Sequence, residues 1–386
     1  MAKVLHFLTD EKFSDFIIHL FEKVPDHLFK YVVVKSSDKP LKFQNPMIEQ
    51  ISLMEVNNFE NAFAPDLIIF HSLFPQNLLV LNQLKSTRPI CWFSWGGDIA
   101  LGHSTIFRKA HEPITFQEYF KPSIGSLLKH ESWNIIKKLF PRLYYYYYAK
   151  RTGELWPNFL LNKHFPRISI INTITPNEQK TFIKHGFSGT FIHIPIGTIE
   201  YLMEGVTPHP ISHHVNRIFI GHSAFAQNNQ LDVLTQLKTL NFHGEIICSL
   251  SYGDTDFAKA VIEKGNALFG ERFIPVTEYL TKERYFNLLN TCDIYINNSI
   301  IQQGLGNILT AAYMGIPVIL NRKGVVYEFM KEQGMHCFSL QSDLEAMLIE
   351  LPGSIEEFTR KNRIEIDRIY GEQQVLKEIN RLLSVL

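Results

Sequence analysis

The chain has 386 residues, 38 acidic and 38 basic side chains, and a hydrophobic fraction of 45%. That length predicts two domains of roughly 190 residues each, and the apolar fraction excludes intrinsic disorder. A formal charge of zero leaves no global field to draw the chain onto nucleic acid, so any basic region has to be local. The cysteines Cys91, Cys248, Cys292 and Cys337 lie far apart, mostly within apolar runs. They fit neither zinc-ligand spacing nor a disulfide framework, and read as buried reduced thiols. The first residues, MAKVLHFLTD, form a strand pattern without a long apolar leader, and no window approaches about 18 uninterrupted apolar residues. The expectation is a cytoplasmic protein that does not span a membrane.

In chain order, strand patterns fall at Lys3–Leu8, Tyr31–Val34, Asp66–His71, Pro89–Trp95, Ile168–Thr173 and Phe191–Pro195. Helical periodicity lies between them at Phe13–Glu22 and Pro75–Leu84. Thr175-Pro176-Asn177-Glu178 has the cap residue, first-position proline and early acid of a helix start. Apolar strands alternating with helices predict α/β architecture, with a parallel sheet covered on both faces. Periodicity is lost over residues 197–216, which gather glycine, proline and histidine like a linker. A second series follows, with strands Arg217–Ile220, Glu245–Leu250, Arg272–Pro275, Asp293–Asn297 and Pro317–Asn321, and a helical, charged end. The domains predicted are thus 1–196, 217–350 after the linker, and terminal helices over 351–386. In such sheets ligands bind beyond the carboxyl ends of strands, so functional residues are expected just after them.

Two post-strand segments of the second series carry glycine and small polar residues ahead of a helix. One is Gly221-His222-Ser223-Ala224; the other is Gln302-Gln303-Gly304-Leu305-Gly306-Asn307. Glycine lets main-chain N–H groups approach a ligand, and a helix N-terminus offers unpaired donors and positive dipole. Together they could hold a diphosphate without a metal; singly, each is equally a turn between strand and helix. Arg322 follows the next strand and is either added positive charge or solvated surface. Asp254-Thr255-Asp256 matches a metal-diphosphate motif, but stands where aspartate caps a helix. Tyr252 is either a stacking platform for a base or sheet packing, and Glu278 either reaches a sugar hydroxyl or lies on open surface.

In the first half, Trp92-Phe93-Ser94-Trp95-Gly96-Gly97-Asp98 closes a strand. Indoles stack on apolar sugar faces, and a carboxylate can take a proton from an attacking hydroxyl. Trp95 and Gly97 are therefore candidates for acceptor binding and Asp98 for catalysis, against tryptophans in the core and an aspartate capping a turn. His6 and His71 end strands and are either structural or acceptor-binding. Lys137–Arg151, KKLFPRLYYYYYAKR, places five tyrosines around every azimuth of a helix between cations. It reads as an element at an anionic membrane surface, or as a protein interface.

These residues resemble the TDP-N-acetylfucosamine:lipid II N-acetylfucosaminyltransferases of enterobacterial common antigen synthesis, also described as 4-alpha-L-fucosyltransferases. The family signature is matched by Gln302, Gln303, Gly304, Gly306, Gly315, Ile316, Pro317, Leu320, Asn321 and Arg322. A W-G-x-D loop is matched by Trp95, Gly96, Gly97 and Asp98, and a G-N-S loop by Gly221 and Ser223, with His222 in the Asn place. Pro141–Trp156 echoes the family's basic aromatic region. The likeness is dense from Arg217 to Arg322. It implies a GT-B glycosyltransferase: two Rossmann-like domains facing a cleft, with C-terminal helices packing back toward the N-terminal one. It further implies an enzyme that needs no metal cofactor, peripheral at the inner membrane, moving an amino-deoxy sugar from TDP to a lipid-linked saccharide. In that reading Gly221, Ser223, Gln302, Gln303, Gly304, Gly306 and Asn307 hold the diphosphate; Tyr252, Glu278 and Arg322 serve the nucleoside or sugar; Trp95, Gly97 and His6 the acceptor. Many retaining GT-B enzymes place two glutamates eight positions apart here; Gln303 and Ala311 stand at those positions, and Ala311 cannot bind a ribose diol. The alternatives are a UDP-sugar transferase, a sugar-nucleotide epimerase, or a non-catalytic nucleotide-sugar-binding subunit.

Overall fold

A computed structural model describes residues 1–9, 13–35, 41, 45–96, 98, 110–120, 164–184, 186–208 and 214–384. The predicted tyrosine-rich segment, and Gly97, lie outside these. The chain divides into two compact units. The first holds Met1–Ser104, Ser123–Ile196 and Gln373–Leu386; the second holds Thr105–Pro122 and Gly197–Glu372.

Among the described residues the first unit has a seven-stranded parallel sheet, β1 (Lys3–Phe7), β2 (Leu28–Lys35), β3 (Ile48–Ser52), β4 (Leu67–His71), β5 (Ile90–Phe93), β6 (Ile170–Asn172) and β7 (Thr190–Ile192). Its order is β3-β2-β1-β4-β5-β6-β7, so the winding reverses between β1 and β4. The central strands are mostly apolar because helices cover both faces: every residue of Leu67–His71 is buried. The strand β3 escaped the sequence reading for a physical reason. It lies at the sheet edge, its IEQIS pattern is half exposed, and it lacks both alternation and an apolar run. Trp92 is fully buried in this core, edge-on to Phe182.

The second unit has a six-stranded parallel sheet, β8 (Arg217–Ile220), β9 (Glu245–Ser249), β10 (Phe273–Val276), β11 (Ile294–Asn297), β12 (Val318–Leu320) and β13 (Phe338–Ser339), in the order β10-β9-β8-β11-β12-β13. Counted from β8 this is 3-2-1-4-5-6, the doubly wound dinucleotide-binding topology, with its switch point between β8 and β11. Pro275 is tolerated within β10 because that strand is an edge. The two-residue β13 is too short to announce itself in a sequence. All four cysteines are buried and free, and burial pushes the thiols of Cys292 and Cys337 up to about 12.

A segment from the first half of the sequence belongs to this second unit. Its short helix Pro113–Glu118 is held at the N-terminus by Asp232 of the helix Gln230–Thr239, which accepts from Ile114 N and Thr115 N, both at 2.8 Å. Lys264 pairs with Glu118 at 2.7 Å, and Ile114, Tyr119 and Phe120 pack against the core of the unit. The terminal helices are divided: Ile355–Tyr370 lies in the second unit, and the chain from Gln373 onward lies in the first.

After β6, Thr175 and Glu178 form a capping box: Glu178 Oε2 accepts from Thr175 N at 2.9 Å and from Thr175 Oγ1 at 3.1 Å. Burial pushes the Glu178 carboxyl from the usual 4.5 up to about 7, and the charge of Asp98 adds to the rise. The folded state therefore holds a proton that the unfolded chain releases. Its contribution is fully present below pH 4.5 and is lost as pH rises through about 7. For a shift from 4.5 to about 7 the change is roughly 3 kcal/mol. Urea unfolding across that pH window should show stability falling in the native protein and a flatter profile in Glu178→Gln; equal slopes would refute the assignment.

Candidate functional site

Both glycine-bearing loops of the second unit follow the strands that flank the β8–β11 switch point. The first begins at Gly221, whose N donates to Ile296 O at 2.9 Å and whose φ of +68° is readily adopted only without a side chain. A Cβ there would stand 2.8 Å from Gln230 Nε2. That amide donates to Ser223 O at 2.7 Å, while Asn228 Nδ2 donates to Ser223 Oγ at 3.1 Å. The loop after β9 laces onto this one: Ala224 N donates to Tyr252 O, and Asp254 N donates to Ala224 O.

The second loop ends at Gly304, the residue before the helix Leu305–Met314, with φ +68°. A Cβ at Gly304 would stand 2.8 Å from both His222 Nδ1 and Asn297 Nδ2, so only glycine lets the two loops meet this closely. Gly306 is in the first turn of the helix, where a Cβ would meet nothing nearer than Leu202 Cδ1 at 3.7 Å. Its bareness is not demanded by packing, and it leaves main-chain donors of the first turn without side-chain cover. Gln302 is buried; Gln303 is half-buried, with Oε1 enclosed and no hydrogen-bond partner among the described residues. Such a site offers peptide dipoles and unpaired N–H groups to an anion.

The other predicted residues of this unit fall in different surroundings. Asn307 donates its amide to the hydroxyl of half-buried Tyr285 at 2.9 Å, so its side chain supports the helix Lys282–Asn290. Tyr252 is 39% exposed and lies edge-on to Phe225, itself 41% exposed, at 6.2 Å. Glu278 is exposed beside Tyr279, which is 63% exposed. The loops after β8, β9 and β10 thus each display an aromatic ring. The Arg322 side chain is exposed, and its backbone N donates to Gln341 Oε1. Asp254 is a cap: Oδ1 accepts from Asp256 N and Phe257 N, and Oδ2 accepts from Tyr119 OH at 2.7 Å. Ala311 is fully buried in its helix.

In the first unit, Asp98 is 3% exposed and engaged by its own loop. Oδ2 accepts from Leu73 N at 3.0 Å and Trp92 Nε1 at 2.8 Å, and Oδ1 from Ser94 Oγ at 3.0 Å and Trp95 N at 3.2 Å. Burial raises its pKa, and these bonds oppose the rise. In this conformation the carboxylate organises the turn after β5. His6 is fully buried, with Nδ1 2.9 Å from Nε2 of His71 and its ring among Phe21, Phe29 and Tyr31. Burial lowers both imidazoles, His71 to about 3, so the pair is neutral. Trp95 is half-buried and meets Phe13 edge-on at 5.4 Å and Phe74 at 6.3 Å. The sequence reading missed Asn228, Gln230 and Asn298. The signal was present as amide-rich runs just after strands, Gln227-Asn228-Asn229-Gln230 and Asn297-Asn298.

The chain is similar to known proteins in sequence and in fold. Residues 200–362 match the family model of 4-alpha-L-fucosyltransferase, glycosyl transferase group 56. The structure of Anabaena HepE in complex with UDP-glucose is similar over 100% of both chains, at 14% identity and a TM-score of 0.65. Sucrose-phosphate synthase from Thermosynechococcus elongatus matches at 9% identity and a TM-score of 0.62, over 100% of this chain and 99% of that one. A putative UDP-N-acetylglucosamine 2-epimerase from Listeria monocytogenes matches at 14% identity and a TM-score of 0.54, over 100% of this chain and 95% of that one. At these identities the structures speak for the fold, and the family match for the chemistry. The chain is a glycosyltransferase of GT-B fold, and its residues 200–362 are similar to the 4-alpha-L-fucosyltransferases of glycosyl transferase group 56.

Proposed function

We propose that this enzyme moves an amino-deoxy sugar of the N-acetylfucosamine type from a TDP donor to a lipid-linked saccharide. The observation that carries the reading is the meeting of the loops after β8 and β11, where Gly304 lies against His222 beside an uncovered helix N-terminus. Charge that develops on a departing diphosphate is met there by fixed main-chain dipoles, the term that usually dominates such catalysis. Gly221, Ser223, Gln302, Gln303, Gly304 and Gly306 form this cradle, which calls for no metal, and Asn307 braces it through Tyr285. Tyr252 with Phe225 offers the base a stacking surface, and Glu278 after β10 and Arg322 after β12, on either side of the switch point, serve the nucleoside or sugar. Nucleotide sugars are the ligand class of the similar Anabaena protein, which was solved with UDP-glucose.

Thymidine rather than uridine is favoured by Ala311, which has no group to bind a ribose 2′-hydroxyl. On the acceptor side, Trp95 with Phe13 and Phe74 supplies an aromatic surface for a saccharide, together with Gly97. Asp98 shapes that loop and orients the acceptor hydroxyl through it. His6 supports the base of the region from within. The Lys137–Arg151 segment would hold the enzyme peripherally on an anionic inner-membrane surface, near its lipid-borne acceptor. No helix among the described residues is long and apolar enough to cross a membrane.

Side-by-side calorimetric titrations should show TDP binding more tightly than UDP, and a preference for UDP would overturn the choice of donor. Gln303→Ala should weaken TDP binding by about 1–3 kcal/mol, roughly five- to 150-fold, with unchanged affinity removing Gln303 from the site. Replacing Tyr144, Tyr145, Tyr146, Tyr147 and Tyr148 by serine should release the protein from anionic liposomes; undiminished co-sedimentation would end the membrane assignment.

A further inference from the structure

The loops that form the donor site are joined by a closed ring of buried and half-buried hydrogen bonds, and one member of that ring comes from the first half of the sequence. Asn321, the residue after β12, donates from Nδ2 to Asn298 Oδ1 at 2.7 Å and to Glu112 Oε1 at 2.8 Å. Asn298, the residue after β11, donates from Nδ2 to Asn229 O at 3.3 Å. Asn229, in the connection that follows β8, donates from Nδ2 to Asn298 O at 3.0 Å and to Ala110 O at 3.1 Å. The ring closes where Glu112 N donates to Asn229 Oδ1 at 2.8 Å. Asn229 and Asn321 are fully buried and Asn298 is 2% exposed. Glu112 is the only ionisable member, and Lys323 Nζ lies 3.2 Å from the same oxygen.

These are the connections that carry the diphosphate cradle. Asn298 opens the loop that ends at Gly304, and Asn229 directly precedes Gln230, whose amide holds Ser223. A satisfied buried network of this kind rigidifies the backbone that it joins. Removal of the carboxylate strands an Asn321 N–H in the interior and leaves Lys323 without its partner, so the loops gain alternatives to the receptive geometry.

Resting on the nucleotide-donor reading above, we infer that Glu112 is a positioning residue of the donor site. Through Asn321, Asn298 and Asn229 it fixes the loops after β8, β11 and β12 in the arrangement that receives a nucleoside diphosphate. Glu112 touches no substrate itself. It lies outside residues 200–362, the part that the family model matches.

The test uses the full chain and calorimetric titration with TDP and with UDP, reading affinity and stoichiometry separately. Glu112→Ala should raise the Kd of the nucleotide that the native protein binds by about tenfold at unchanged stoichiometry. Glu112→Gln, whose carbonyl oxygen still accepts from Asn321, should weaken binding only about threefold. A merely structural glutamate would instead lower the binding-competent fraction and leave Kd where it was; that outcome overturns the inference. Should the alanine variant fail to fold, the glutamine variant decides: a Kd raised about threefold supports the role, and an unchanged Kd removes it. Native protein that binds neither nucleotide would overturn the donor reading and this inference with it, whereas native binding with indifferent variants would overturn this inference alone.

Discussion

The close passage of glycine main chain against buried side chains at the β8–β11 switch point is the constraint on which the site depends. Gly304 lies where any side chain would collide with His222 and Asn297, and Gly221 where one would collide with Gln230. Both also hold φ of +68°, which L side chains rarely adopt. The loops are thus tied twice, by sterics and by backbone conformation. The benefit is placement: the following helix, which no side chain caps, starts beside a strand end, where a parallel sheet already directs its ligands.

Around that point, polar side chains work mostly on the protein itself. Asn228 and Gln230 hold Ser223, Asn307 holds Tyr285, Asp254 caps a helix, and Asp98 ties the turn after β5 to Leu73 N after β4. A buried carboxylate has to be compensated by donors, which is why Asp98 is surrounded by them. Rigid loops held by such second partners suit a reaction whose protein contribution is charge stabilisation. Fixed dipoles help most when they need not reorganise as the leaving group takes up charge.

Much of this was legible beforehand because the relevant signals are local. The βα alternation, the post-strand glycines and the cap at Thr175 follow from spacing and residue type, and each corresponds to an element in the structure. What escaped is what spacing cannot encode. The edge strand at Ile48–Ser52 has too little burial to leave a pattern. The inward turn of His6 and Asp98 depends on neighbours distant in sequence: Phe21, Phe29, Tyr31 and His71 for the one, Leu73 for the other. Nothing around residues 110–120 indicated that they would join the second unit, because their partners are more than a hundred positions away.

That long-range placement follows from the hydrogen-bond inventory of the second sheet. At its carboxyl edge three asparagines are buried after β8, β11 and β12, and each amide has two hydrogens and an oxygen to satisfy. The three meet part of that need among themselves, and Asn229 also donates to Gln227 O and Ala110 O, while Asn229 Oδ1 and an Asn321 N–H are met by Glu112 N and Glu112 Oε1. Each buried polar group left unmet would cost about 1–3 kcal/mol, a large share of the 5–15 kcal/mol that holds a typical domain together. Residues 110–112, from the first half of the sequence, thus complete part of the hydrogen bonding at this edge.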